Sequence, residues 1–402
     1  MHIVCLYFHY ASPDCPSGAR AYSLLRGLGQ KHQVTVFTGK HYYHLRQSQH
    51  FDWEPPGVTV RMLDVPYENQ MPAARRLTAY ASFPAWAGVQ AGRISSPDLL
   101  YAISTPLTTP MAAVLASRIR GIPWVLEIRD LWPDFPIQMG AISSPVLQHI
   151  LRWTERHLYR DAAHVVTVSP AMTNHVRSTG LDASQVTTLP QGTDLFLFDR
   201  PAAPTSSDLR DRHGLSSRHI VLYAGALGRA NDLPTLLKAA EHLRHRSDTT
   251  FVFIGHGFHE PDVRSTSHRL PNVRYVSAQP RHEMVSWFRL ATLSLVSFRD
   301  LPVLSTNAPA KLFDSLAAST PVIVTNPGWM TRLIRTHECG WTVPASSASA
   351  LAEQINTVLD QPKACRAAGE RGAELARARF DRAAQVPALQ SIFSRAVSAA
   401  SS

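Results

Sequence analysis

Residues 307–326, NAPAKLFDSLAASTPVIVTN, bring together the side chains best suited to chemistry in this chain. They read as a loop, a helix and a buried strand over 322–324, with Pro309 at an early helix position and Pro321 ending the helix. Lys311, Asp314 and Ser315 then fall within about one turn of one another, while Leu312, Phe313, Leu316 and Ala317 supply apolar contacts. A helix start reached through Asn307, Ala308 and Pro309 and carrying a lysine would face phosphates. Asp314, one turn on, would accept hydrogen bonds from hydroxyls. Phosphates and a sugar on one ligand fit this set.

Three other stretches carry candidate chemistry. In LEIRDLWPDFP, residues 126–136, a buried strand ends by presenting Arg129, Asp130, Trp132 and Asp134 together; a structural salt bridge is the plainer reading of the same charges. Gly225-Ala226-Leu227-Gly228-Arg229 and Gly255-His256-Gly257 follow two further strands, and such glycine turns let backbone approach a ligand closely. A lone histidine such as His256 is more often simply solvated. Near the N-terminus, Ser17-Gly18-Ala19 opens a helix with Arg20 alongside and can offer N–H groups to an anion, although an ordinary helix cap explains it as well. None of these is a GxGxxG fingerprint, which argues against a nicotinamide enzyme.

The elements that must position these groups alternate along the chain. Strands are expected over 3–8, 34–38, 58–65, 99–103, 124–128 and 165–168, and again over 220–224, 251–254, 273–276, 293–296, 322–324 and 340–343, with helical patterns between them. That alternation predicts an α/β protein with parallel, doubly wound sheets whose ligands sit beyond the C-terminal strand ends. A length of 402 residues implies two domains. The Pro/Ser/Ala-rich segment 200–208 reads as the connection, which divides the chain into 1–199 and 200–380. Asp232 is expected to cap the helix that begins at about Leu233. The last helix, about 381–400, carries an apolar stripe of Val386, Leu389, Ile392, Phe393 and Val397 suited to docking back on the first domain.

Net charge is +10, with Lys and Arg scattered rather than in runs. A basic surface suits anionic lipid or phosphorylated substrates. The dispersal and the lack of an aromatic–basic repeat argue against nucleic acid. The four cysteines show neither zinc spacing nor a disulfide framework, and no secretory signal pattern is seen, so a reducing cytoplasm is expected. No segment reaches a membrane span of about 20 apolar residues. Residues 77–92 come nearest and could lie at a bilayer interface or pack as a helix inside the first domain. Residues 145–160 form an amphipathic helix. Val146, Leu147, Ile150, Leu151 and Leu158 are expected to cover a sheet, and Arg152, Arg156 and Arg160 could face anionic head groups. No Asp-x-Asp pair is seen, so neither metal nor cofactor is expected.

Stretch 307–326 resembles the donor-site segment of GT-B glycosyltransferases, particularly glycosyltransferase family 4. There a Pro-x-Lys-hydrophobic-hydrophobic-acid helix precedes Ala-x-Gly-x-Pro-Val-Ile. Thr306 and Asp314 stand where that family usually has two glutamates, and Ser319 stands where it has glycine. The opening, with Pro13-Asp14 and Gly18-Ala19-Arg20, resembles that family's first loop. Residues 188–194, TLPQGTD, resemble its exit to the second domain. Arg-Asp-Leu-Trp-Pro at 129–133 resembles a subgroup that builds bacterial surface polysaccharides on polyprenyl-diphosphate acceptors.

The resemblance implies the GT-B fold: two Rossmann-like domains with an interdomain cleft, the first binding acceptor and the second a nucleotide sugar, UDP-linked by preference. It implies donor contacts from Gly225, Gly228, Arg229, Gly255, His256, Gly257, Asn307, Ala308, Pro309, Lys311, Leu312 and Asp314. Arg229 and Lys311 would balance the diphosphate, and Asp314 would hold the ribose. Asp130 would lie near the reacting carbon. Ser17, Gly18, Ala19, Arg20, Arg129 and Trp132 would shape the acceptor side. Retention of anomeric configuration is implied, as is work at the inner face of the cell membrane. A sugar-nucleotide 2-epimerase and a non-catalytic nucleotide or partner binder remain alternatives on the same fold.

Overall fold

Short runs of β-branched and aromatic residues form the strands, and most of them lack polar alternation, as in parallel sheets covered by helices on both faces. The computed structural model describes all residues except 13–14, 16–18, 40–51, 66–72, 202–203 and 402, and the side chains of Ala19, Ala73, Ala74, Arg76, Leu77 and Ser401. The chain forms two units, Met1–Pro190 with Arg382–Ser402, and Gln191–Asp381. The division therefore falls ahead of the Pro/Ser/Ala-rich segment, at the end of the first sheet's last strand rather than near residue 200.

In the first unit the strands are β1 (His2–Leu6), β2 (Gln33–Gly39), β3 (Val58–Leu63), β4 (Leu99–Ile103), β5 (Trp124–Ile128), β6 (His164–Thr167) and β7 (Val186–Thr188). They pair in parallel in the order β3-β2-β1-β4-β5-β6-β7. The helices are α1 (Ala19–Gly29), α2 (Ala73–Gly92), α3 (Thr109–Arg120), α4 (Asp134–Gln138), α5 (Pro145–Asp161) and α6 (Pro170–Ser178). In the second unit α7 (Leu195–Phe198) and α8 (Ser206–His213) precede β8 (His219–Ala224). Then come α9 (Leu233–His242), β9 (Thr249–Ile254), α10 (Glu260–Arg269), β10 (Val273–Val276), α11 (Arg281–Leu290) and β11 (Leu293–Val296). They are followed by α12 (Ala310–Ala317), β12 (Val322–Val324), α13 (Trp329–His337), β13 (Gly340–Thr342), α14 (Ala348–Leu359) and α15 (Pro362–Arg379). This sheet is also parallel, in the order β10-β9-β8-β11-β12-β13. The final helix, α16 (Arg382–Ser401), belongs to the first unit: Leu389, Ile392 and Phe393 join the core formed with Leu24, Leu28 and Tyr101.

Packing places one stretch that pattern alone left open and corrects two expectations. Stretch 77–92 lies within α2, with Phe83, Ala87 and Ala91 buried. Gly88 lets α3 approach, since a Cβ there would sit 2.9 Å from Leu115. The stripe expected to pack α5 does not do so. Leu158 is buried with Glu155 and Tyr159, but Val146, Leu147 and Ile150 are exposed. Periodicity shows that a helix has two faces without showing which one turns inward. Asp232 does precede α9, yet its carboxylate makes no cap bond and instead accepts from Ser346 Oγ at 3.2 Å.

Candidate active site

Parallel pairing brings the ends of β8 and β9 side by side, so the two glycine loops meet. Gly225 N–H donates to the Ile254 carbonyl at 2.9 Å, and a Cβ at Gly255 would lie 1.9 Å from the Gly225 carbonyl oxygen. Gly255 is buried, and Gly257 packs the same way on Leu227. These two glycines are thus required by loop-on-loop packing, whereas Gly225, at φ +122°, and His256 are exposed. Arg229 is also exposed and stacks its guanidinium 3.9 Å above the Phe258 ring.

Lys311 lies in the first turn of α12. Its side chain runs beneath Gly225, and Nζ stands 3.6 Å over the Tyr223 ring. Only 9% of the residue is exposed, and burial pulls its pKa down to about 7. No carboxylate among the described residues pairs with it. A buried ammonium at a helix start, facing an exposed glycine loop and lying over an aromatic ring, has the charge and position to receive an anion. Asn307, Ala308 and Pro309 lead into that turn half-buried, and the Asn307 carbonyl accepts from Trp329 Nε1 at 2.9 Å. Leu312 is fully buried and packs the core rather than a ligand.

Asp314 must be reassigned. Its oxygens accept from Arg281 at 2.8 and 3.0 Å and from Thr193 Oγ1 at 2.5 Å, and Arg281 also reaches Asp194 at 3.3 Å. Burial disfavours the Arg281 charge, but Asp314 and Asp194 more than offset this and hold its pKa above the ordinary range. Three hydrogen bonds hold this buried carboxylate to Arg281 and Thr193, which gives it a structural role within the second unit. Sequence reasoning missed Arg281 because its partners lie 33 and 87 residues away in the chain (314 − 281; 281 − 194). We expect Asp314→Asn to lower nucleotide-free stability by about 1.5–3 kcal/mol, the range for a charged hydrogen bond. Urea denaturation without ligand reads this. A ribose contact would instead leave that stability unchanged and weaken only nucleotide binding.

In the first unit, Arg129 and Asp130 leave the end of β5. Arg129 donates to the Tyr7 hydroxyl at 2.6 Å, and Asp130 accepts from Thr105 Oγ1 at 3.2 Å. Desolvation raises the Asp130 pKa against the opposing pull of Arg129. Thr105 holds φ +117°, an unfavourable region for a β-branched residue, right beside that carboxyl. Nothing local in the sequence marks Thr105. Trp132 is half-buried, its ring edge-on to Tyr80 with centroids 6.3 Å apart. Ser17 and Gly18 lie outside the described residues, as does the Ala19 side chain.

Residues 17–192 match the model of the glycosyl transferase 4-like domain, and residues 206–375 match glycosyl transferases group 1. The chain is a GT-B glycosyltransferase of the family 4 type. The glycosyltransferase is 26% identical over 293 residues to alpha-D-kanosaminyltransferase of Streptomyces kanamyceticus, covering 69% of this chain and 72% of that one. It is 23% identical over 310 residues to the putative colanic acid biosynthesis glycosyl transferase WcaI of Escherichia coli strain K12, covering 74% and 76%. Among solved structures, sucrose-phosphate synthase of Thermosynechococcus elongatus superposes with TM-score 0.78 at 19% identity, over 99% of both chains. Anabaena HepE in complex with UDP-glucose superposes with TM-score 0.73 at 18% identity, over 98% of this chain and 100% of that one.

The glycosyltransferase departs from its family in ways the geometry explains. Ser319, standing for the usual glycine, holds φ +58°, so the position still demands a left-handed residue. Thr306, standing for a glutamate, turns its hydroxyl onto the Val303 carbonyl at 2.7 Å. Arg20 is no acceptor ligand. It is fully buried, bonds both Glu127 oxygens at 3.2 Å, and donates to the carbonyls of Leu189 and Pro190 and to Gln385. Five contacts inside the first unit leave it nothing to offer a substrate.

Proposed function

We propose that this glycosyltransferase moves a sugar, with retention of configuration, from a UDP-sugar to a glycan or polyprenyl-diphosphate-linked acceptor in bacterial surface polysaccharide synthesis, working at the inner face of the cell membrane. The observation that carries the donor side is the buried Lys311 ammonium, without a carboxylate partner among the described residues, at the start of α12 under the Gly225 loop. Negative charge grows on the leaving diphosphate as the glycosidic bond breaks, and fixed positive groups and N–H dipoles stabilise it. Lys311, Arg229 and the helix start supply these without a metal. HepE, whose structure holds UDP-glucose, supports a UDP donor. The colanic acid relative supports a polysaccharide acceptor. Asp130, its carboxyl desolvated beside Thr105, serves the reacting carbon, with Arg129 and Trp132 on the acceptor side.

Thermal shift against UDP, GDP, ADP and dTDP, with and without EDTA, tests this. A UDP-selective rise in Tm that EDTA leaves unchanged is expected; no rise with any nucleotide overturns the donor reading. UDP release only when acceptor is present separates transfer from epimerisation, and NMR of the product's anomeric proton reads the stereochemistry. For Asp130→Asn we expect kcat to fall by about 10²-fold or more with the UDP shift intact.

A further inference from the structure

Large apolar side chains lie exposed on three neighbouring helices of the first unit. They include Val89 on α2, Met111 and Ile119 on α3, and Val146, Ile150 and Trp153 on α5. α2 packs on α3, and α3 contacts α5, tied by Arg118 to Asp161 at 3.3 Å. Val146 is 70%, Ile150 50%, Trp153 53% and Ile119 54% exposed. At about 100° per residue, Val146, Ile150 and Trp153 share one side of α5. The buried Glu155, Leu158 and Tyr159 occupy the other. Arg152, Arg156 and Arg160, all exposed, run down one flank of the apolar row; Arg152 is paired with Asp134 at 3.1 Å, so Arg156 and Arg160 form the cationic edge.

Acidic residues are nearly absent from this face. α2 and α3 contain none. On α5, Glu155 is buried and accepts from Tyr159, while Asp161 is engaged by Arg118 and Trp124. An outward apolar row with a cationic edge is the pattern of a helix lying in a membrane interface: apolar groups enter the acyl boundary while arginines meet lipid phosphates. A symmetric second copy would set arginine rows against each other, an unfavourable self-match. No helix among the described residues is long and apolar enough to cross a membrane, so contact through this face would be peripheral.

We propose that the α3–α5 face of the first unit docks on an anionic lipid bilayer. The inference rests on the lipid-linked acceptor reading for its purpose and on these side chains for its geometry. The test is co-sedimentation of the full chain with vesicles of phosphatidylglycerol and phosphatidylcholine, and with phosphatidylcholine alone. Two double variants accompany it, Ile150→Glu with Trp153→Glu and Arg156→Glu with Arg160→Glu. We expect binding to the anionic vesicles only, weakened about tenfold or more in each double variant, while both variants keep the UDP thermal shift that reports an intact second unit and their far-UV and near-UV circular dichroism. Failure of the wild type to sediment with anionic vesicles, or undiminished binding by folded variants, overturns the proposal. So does light scattering in which the variants convert a dimer to a monomer, because the face would then belong to a second copy. Vesicle binding without any nucleotide shift would keep this inference while removing the donor reading, so the two fail separately.

Discussion

Replacing Lys311 by methionine should abolish the UDP-induced rise in Tm and lower kcat/KM by about 10²–10³-fold, while making the nucleotide-free protein more stable by about 1–3 kcal/mol. Both effects follow from one placement. Nζ is buried against the Tyr223 ring with no carboxylate among the described residues to balance it, so its charge weakens the fold, and a bound diphosphate would offset that cost. Methionine fills similar volume without that charge.

The pH dependence has two opposite signs. The unfolded chain holds this proton up to about 10.5, whereas burial makes the folded lysine release it near 7. Between those values the unfolded state binds more protons, so Lys311 makes nucleotide-free stability rise with pH. Nucleotide affinity should fall over the same range, since the diphosphate needs the ammonium. Calorimetry at pH 8 in buffers of different ionisation enthalpy should therefore show proton uptake on UDP binding in the wild type. UDP affinity that stays constant from pH 6.5 to 9 would sink the assignment.

Arg20→Ala should cost about 3–5 kcal/mol, the range for leaving one member of a buried ion pair alone. Glu127 and Arg20 are both fully buried, and Tyr101 adds a hydrogen bond to Glu127 at 2.7 Å. Burial pushes the Glu127 pKa up, but Arg20 outweighs it and holds the carboxyl below its ordinary value. The stabilisation from a depressed carboxyl is present above its unfolded pKa of about 4.5 and is lost as pH falls through the lower folded value. The gap between wild type and variant should therefore narrow in acid. Urea denaturation across pH reads this. Arg20→Met with Glu127→Leu should recover much of the loss, because paired apolar replacements leave no stranded charge. An arginine that bound acceptor would show the reverse pattern: unchanged stability and a raised KM.

The fold was legible because its strands are buried on both faces. Runs such as Leu99–Ile103 and Trp124–Ile128 are apolar nearly throughout, and helical patterns separate them. β7 escaped notice: three residues, Val-Thr-Thr, on a sheet edge carry no periodicity to read. The Lys311 helix was also legible, since its proline, lysine and apolar spacing are all local. Charge pairing was not. Arg20 looked like an anion ligand because Ser17-Gly18 precedes it, while its partner Glu127 lies 107 residues away in the chain. Asp314 looked free for the same reason, since only the folded sheet brings Arg281 to it.

The backbone of Thr193 donates to the Phe380 carbonyl at 2.8 Å and forms a parallel bridge with Asp381. The entry to the second unit and its exit are thereby held side by side. Topologically, Gln191–Asp381 is an insert with juxtaposed ends, the arrangement that tolerates excision and circular permutation. It is one uninterrupted stretch of chain carrying Lys311, Arg229 and Arg281. The remaining segments, Met1–Pro190 and Arg382–Ser402, need only a short tether to be rejoined. The residues proposed to hold the donor thus lie on one continuous stretch of chain, whereas Asp130 lies in a unit assembled from two segments.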